Sequence, residues 1–243
     1  MKPLLIDAGN TRVRIARASG AGFELLHSCA TVELLAGSLG ALPDLGTVGE
    51  ARIAAVGGVS DLLTRWVQDR LAGRALVLRS PKRGDGIVNA YGDRAADLGV
   101  DRWLAMIAAH RQGHGATLIV DAGTAMTLDL LTADGHHLGG YIVPGLSLAR
   151  GSLHHGTAAL PAITGDATLD LASSTSAAIA NGTLAQAVAL IAAVRASAAQ
   201  GSKLLVTGGD AASLLPLLGA DVLHAPDLVL EGLAAADPAT WVH

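Results

Sequence analysis

The chain of 243 residues has one cysteine, Cys29, so it forms no internal disulfide and offers no thiolate cluster for zinc. Aromatic residues make up 2%, leaving few rings to stack on bases, and the net charge of -4 supplies no basic face for a nucleic-acid backbone. The usual mononucleotide signatures are missing too, with neither a GxxxxGKS/T run nor a GxGxxG opening a helix. His110 and His114 stand four apart, but no HExxH pattern accompanies them, and His136-His137 and His154-His155 adjoin turns. All are read as solvated side chains rather than zinc ligands. Mean hydropathy is +0.44, yet no run approaches the roughly 20 apolar residues of a membrane span. The most apolar stretch, Leu184 to Ala199, is interrupted by Gln186 and Arg195. Asp7 follows Leu4-Leu5-Ile6 at once, which is not a signal peptide's shape, so the expectation is a soluble cytoplasmic protein with no membrane or nucleic-acid partner.

What the chain does have is apolar material, 51% of residues, and repetition. Leu4-Leu5-Ile6-Asp7-Ala8-Gly9-Asn10-Thr11 recurs, altered, as Leu118-Ile119-Val120-Asp121-Ala122-Gly123-Thr124-Ala125. Each copy runs from apolar residues into Asp, a small residue and Gly, then a polar turn and an alternating stretch: Val13 and Ile15 in the first, Met126, Leu128 and Leu130 in the second. That is a buried strand, a tight turn and a second strand. Later in each half an apolar run ends in a glycine pair, Arg52 to Gly58 and Lys203 to Gly209. Preserved order implies two similar half-domains, placed at 1–115 and 116–243.

Between these landmarks the patterning predicts a strand near Phe23 to Leu26 and a helix from Glu33 to Leu42. A second helix carries Leu62, Leu63, Trp66, Val67 and Leu71, with Ser60 as its N-cap. Ala75 to Leu78 reads as a strand and Ser80 to Asp97 as loop, before a helix with Trp103, Leu104 and Ile107 that joins the halves. A long alanine-rich helix is expected from Ser176 to Gln200.

A glycine at each hairpin turn lets backbone N–H groups approach a phosphate, and Asn10, Thr11 and Thr124 add side-chain donors. The aspartates, Asp7 and Asp121, repel phosphate and are suited instead to holding a cation or a metal-bound water. Arg12 and Arg14 share the strand face opposite Val13 and Ile15, so at least one is available to neutralise phosphate charge.

Duplicated Asp-x-Gly hairpins with Gly-Gly turns resemble the acetate and sugar kinase, heat-shock ATPase and actin superfamily. The resemblance implies an α/β fold of two duplicated, ribonuclease H-like half-domains with the nucleotide cleft between them. Within it, Tyr91-Gly92-Asp93-Arg94 through Gly99-Val100-Asp101-Arg102 is similar to type III pantothenate kinases. The supporting motifs follow in order: Asp7 to Thr11, Gly99 to Arg102, Asp121 to Ala125, Gly139-Gly140, Pro144-Gly145, Thr157 with Leu160-Pro161, Ser174-Thr175 and Thr207-Gly208-Gly209. The implied activity is ATP-dependent phosphorylation of pantothenate, with Asp101 as general base. ATP contacts are implied at Asp7, Ala8, Gly9, Asn10, Thr11, Arg12, Val13, Arg14 and Thr124. Pantothenate contacts are implied at Tyr91, Gly99, Val100, Asp101, Arg102 and Thr175, with Arg102 suited to the substrate carboxylate. Mg2+ is positioned through water by Asp7, a monovalent cation (K+ or NH4+) is bound by Asp121, and the family works as a homodimer.

Read by themselves, the same residues have plainer roles. Asp101 is also a carboxylate favoured at a helix N-terminus, Arg102 a surface arginine, Tyr91 a loop residue and Thr175 a helix cap. One departure is Arg94-Ala95-Ala96, where relatives often carry a proline, which bears on the reach of Tyr91. Two rival functions remain at this level: a nucleotide-sensing accessory factor for transcription, and a kinase of another small alcohol, which would not need Arg102.

Overall fold

The apolar run at the start of the sequence becomes β1 (Leu4–Ala8), the middle of a five-stranded sheet in the order β3-β2-β1-β4-β5. Leu4, Leu5 and Ile6 are all fully buried, as a strand covered on both faces requires. β2 (Arg12–Ser19) pairs with it antiparallel, β3 (Gly22–Ala30) continues antiparallel, and β4 (Glu50–Ala55) and β5 (Arg74–Val77) extend the other side in parallel. The structure is a computed structural model that describes residues 2–20, 22–36, 45–55 and 57–240.

α1 (Thr31–Leu35) begins the predicted Glu33 to Leu42 helix, whose later residues, 37–44, lie outside the described ones. α2 (Ser60–Leu71) follows the first glycine pair, with Leu63, Trp66, Val67 and Leu71 packed into the sheet's core. Ser60 is its first helical residue; Val59 occupies the cap position without a side-chain cap bond, so the expected Ser60 cap is not formed. The strand expected near Phe23 is longer than its apolar residues suggested, because β3 runs to Ala30 along the β2 edge. The stretch 80–97 is not plain loop. It contains a two-residue hairpin, β6 (Arg83–Gly84) and β7 (Ile87–Val88), and a 3-10 turn over Gly92–Asp97. α3 (Val100–Arg111) then buries Trp103, Leu104, Met106 and Ile107, and it lies wholly within the first compact unit rather than joining two.

The second sheet repeats the first strand for strand, in the order β10-β9-β8-β11-β12. β8 (Thr117–Ala122) pairs antiparallel with β9 (Ala125–Leu131) and parallel with β11 (Lys203–Thr207), which continues to β12 (Val222–His224). β10 (His137–Pro144) is the edge, followed by α4 (Leu146–Gly156). α5 (Thr175–Ala196) lays Leu184, Ala187, Ile191 and Val194 into this unit's core with Leu118, Val120 and Leu204. α5 is the one described helix long and apolar enough, by length and composition, to cross a membrane. The sequence had suggested that no stretch reached that threshold; the buried residues along one side of α5 give those apolar side chains a core to fill.

α6 (Ala211–Leu214) follows the second glycine pair, and α7 (Leu228–Ala235) closes the described fold. The first unit comprises Met1–Gly113, Asp134–His137 and Asp227–His243, and the second His114–Ala133 and Leu138–Pro226. A cut at 115/116 therefore differs from the contact-based division at His114 and Gly115, which belong to the second unit, and in two longer segments, Asp134–His137 and Asp227–His243, which pack with the first unit. Gly232 seats α7: a Cβ there would overlap the backbone carbonyl of Leu104 in α3. Beyond α7, the Asp237 N–H donates to Asp85 Oδ1 (2.9 Å), which also accepts from Arg111 (3.0 Å).

Candidate active site

Asp7 is the penultimate residue of β1, and its antiparallel partner across the hairpin is Arg14 of β2. Cross-strand neighbours stand close enough to pair. Arg14 donates from Nε and Nη2 to Asp7 Oδ2 at 3.4 and 3.3 Å, while its Nη1 donates to Asp227 Oδ1 at 2.7 Å. Burial raises the Asp7 carboxyl to a pKa of about 6; Arg14 pulls it down, and the charge of nearby Asp101 adds to the rise. Two of the acids singled out by sequence are thus close enough to feel each other.

The hairpin turn has a specific brace. Gly9 N–H donates to Arg12 O, while Thr31 donates from Oγ1 to Gly9 O (2.7 Å) and from its N–H to Thr11 O. Ala8 and Val13 face the core, so their contribution to any ligand is main chain only; Asn10, Thr11 and Arg12 are the exposed side chains. Arg14 is held between two carboxylates, which leaves Arg12 as the outward-facing cation of the pair.

Gly99 caps α3 and Asp101 lies in its first turn, where the Arg102 N–H donates to Asp101 Oδ1 (2.8 Å). A Cβ on Gly99 would stand 2.5 Å from that oxygen, so the glycine makes room for the carboxylate to fold back onto the helix start. Val100 is buried, and only its backbone is available to a substrate. Arg102 is 5% exposed, not a surface arginine; its Nη1 donates to Tyr91 Oη (3.1 Å) and its guanidinium lies 5.8 Å from the Tyr91 ring centroid.

The loop carrying Tyr91 is shaped by buried Asn89. Its Nδ2 donates to Pro81 O and Ala95 O, and its Oδ1 accepts the Tyr91 N–H. These bonds fix the path where relatives often carry a proline. His137, expected on the surface, is 3% exposed and stacks on Tyr91 with ring centroids 6.2 Å apart and planes at 18°. It arrives there because Val88 N–H donates to Gly135 O and Val88 bridges His136. His110 is half-buried, against Gly86 and Gly135, rather than solvated.

In the second unit, Asp121 is the penultimate residue of β8, matching Asp7, with Thr127 in place of Arg14 opposite it. Two glycines crowd this hairpin: a Cβ on Gly145 would overlap Gly123 O, and one on Gly208 (φ +92°) would meet Ala122 O and Asp121 Oδ1 at 2.5 Å. Thr124 accepts the Gly145 N–H through its carbonyl. Asp210, unremarked in the sequence, sends its N–H to Ala122 O; burial pushes its carboxyl up, against a Leu146 backbone bond and the Arg150 charge. Thr175 opens α5, and the cap is its neighbour Ser174, whose Oγ accepts from Ala177 N–H (3.3 Å).

Asp227 and His137 are the functional candidates that sequence reasoning missed. Asp227 precedes an apolar helix and reads locally as a helix start, with nothing to say which hairpin it faces.

A cation fits at Asp7 by the chemistry of its surroundings: a largely desolvated carboxylate, incompletely neutralised, with a second acid nearby. Among the described residues no three His, Cys, Asp or Glu side chains gather as a metal cage. The fit is therefore to a hydrated magnesium held through one carboxylate, which is how that ion is commonly bound beside phosphates.

A family model described as type III pantothenate kinase matches residues 3–197. The type III pantothenate kinase of Nitrosococcus oceani is 41% identical, covering 95% of this chain and 92% of its own. Among solved structures, a Campylobacter jejuni protein described as a Baf family transcriptional activator superposes with a TM-score of 0.61 at 21% identity, covering 95% and 94% of the two chains. A Sinorhizobium meliloti protein described as a 2-dehydro-3-deoxygalactonokinase gives 0.52 at 16%, covering 99% of each. These two likenesses show the fold, a duplicated α/β architecture. The sequence matches go further: this chain belongs to the type III pantothenate kinase family.

Proposed function

We infer that this protein phosphorylates pantothenate with ATP, giving 4′-phosphopantothenate, the entry step of coenzyme A synthesis. The observation that carries the reading is family membership over most of the chain. Relatives named for pantothenate phosphorylation do not favour the regulatory or other-alcohol alternatives.

Asp101 takes the proton of the attacking hydroxyl, as a carboxylate within hydrogen-bond reach of the acceptor must. Arg102 and Tyr91 act as one joined unit, the guanidinium meeting the substrate carboxylate and the phenol steadying it. Asn10, Thr11, Arg12 and Thr124 hold phosphate oxygens. Asp7 would hold a hydrated magnesium, whose charge would offset that of the nucleotide phosphates, and Asp121 would hold a monovalent cation. Asp7 and Asp121 share this division because each ends the first strand of a hairpin, but only Asp7 has an arginine opposite it.

A homodimer is supported by the second unit's apolar surface. Leu138, Tyr141 and Ile142 on edge strand β10, with Leu148 and Leu153 on α4, are exposed, and such faces mark association sites.

The test is product formation by purified protein with Mg-ATP and pantothenate, in potassium and again in sodium. Potassium-dependent 4′-phosphopantothenate is expected, and Asp101→Asn lowers turnover about a hundredfold or more while ATP binding persists. No product in either salt, from folded protein that binds ATP, overturns the reading.

A further inference from the structure

The Arg14 guanidinium is shared unequally. Its contact with Asp227 is 2.7 Å, whereas its two contacts with Asp7 are 3.3 and 3.4 Å and reach the same oxygen, Oδ2. An arginine that fully engages a carboxylate spreads two donors over both oxygens at roughly 2.7–2.9 Å. Arg14 is the cross-strand partner of Asp7 and has the reach to do so. What draws it aside is an acid 213 positions away, at the start of a helix whose seat is set by other contacts: Gly232 against Leu104, and Asp85 on the Asp237 N–H.

We propose that Asp227 is a positioning residue that holds Arg14 off Asp7 and so leaves the Asp7 carboxylate available to the hydrated magnesium of Mg-ATP. The proposal rests on the role given to Asp7 above. With Asp227 in place, Asp7 keeps a deficit of positive charge that a divalent cation fills. Burial of Asp7 and the nearby Asp101 charge act in the same direction. Without Asp227, Arg14 closes on Asp7 as a fork and competes with the metal.

Asp227→Asn removes the charge while keeping size and helix-start preference. Mg-ATP binding measured by calorimetry should weaken about fivefold, the scale of one partly exposed ion pair. ATP binding in EDTA should hold or tighten, and the KM for pantothenate should not change. In an Arg14→Gln background the same substitution should have no further effect on Mg-ATP binding, because the competitor is gone. Asp227→Glu, which restores the charge, should recover most of the loss.

Unchanged Mg-ATP binding in folded Asp227→Asn overturns the proposal. So does an equal loss in the Arg14→Gln background, or the same loss in the Asn and Glu variants. Because the readout is calorimetric, a protein that binds Mg-ATP yet makes no phosphopantothenate would refute the activity without touching this inference.

Discussion

In the proposed reading, Asp7 sets stability against function in one side chain. Its folded pKa of about 6 lies above the ordinary 3.8, so the folded protein binds a proton more tightly there than the unfolded chain does. The sign follows: its contribution to stability is fully present below pH 4 and is lost as pH rises through about 6. A shift of about two units corresponds to roughly 3 kcal/mol. Asp7→Asn, which cannot ionise, should therefore be more stable than wild type at pH 7.5 by up to about 3 kcal/mol and about equal near pH 4. Urea unfolding at the two pH values checks this; a pH-independent difference would show that burial of the charge is not the cause. The same variant should lose turnover, since the charge that destabilises the fold is the one assigned to the cation. At this scale the sequence indicated local arrangement where the neighbours are close in the chain. Asp7, Gly99, Asp101 and Arg102 sit in short motifs whose spacing reflects a hairpin or a helix start. The surroundings of His137 and Asp227 were not readable, because each makes its contact with a partner far away in the chain: Tyr91 for one, Arg14 for the other.

Among the elements, α7 is one whose seat depends on a missing side chain. Gly232 lets the helix approach the backbone of Leu104, and a methyl group there has a main-chain carbonyl in its way rather than a flexible side chain. Alanine gains up to about 1 kcal/mol of helix propensity over glycine, but overpacking against backbone costs roughly 1–3 kcal/mol. Gly232→Ala should thus be net destabilising, read as a lower urea midpoint; a raised midpoint would mean that α3 and α7 separate easily. The strands were legible because β1 and β8 are apolar runs ending in Asp-x-Gly, and nothing else in the chain looks like them. α7 was not assigned, and its membership of the first unit could not be, since apolar periodicity identifies a buried face without naming what buries it.

For the whole molecule, the duplication is exact in strand order while the decoration differs. Each sheet runs hairpin, central strand, parallel strand, parallel strand, yet only the second carries an edge as apolar as β10. Ile142→Asp puts a charge at the middle of that edge, on a side chain already 61% exposed, so the fold should tolerate it. Sedimentation should show wild-type dimer converted to monomer with an unchanged circular dichroism spectrum. A wild-type monomer would overturn the homodimer, and a dimer indifferent to the substitution would move the association face elsewhere.

The two units are also interleaved in the chain, since Asp134–His137 and Asp227–His243 return to the first. A ribosome makes the strands of the first sheet before anything else, but the helix that covers β1 and α3 emerges only after the whole second sheet. The hairpin that binds phosphate in this reading therefore waits, with its Arg14 lacking one acid, until synthesis has passed residue 227, whereas Tyr91 has its stacked ring as soon as His137 is made. Nascent chains stalled short of that point should behave as partners for chaperones rather than as half of an enzyme.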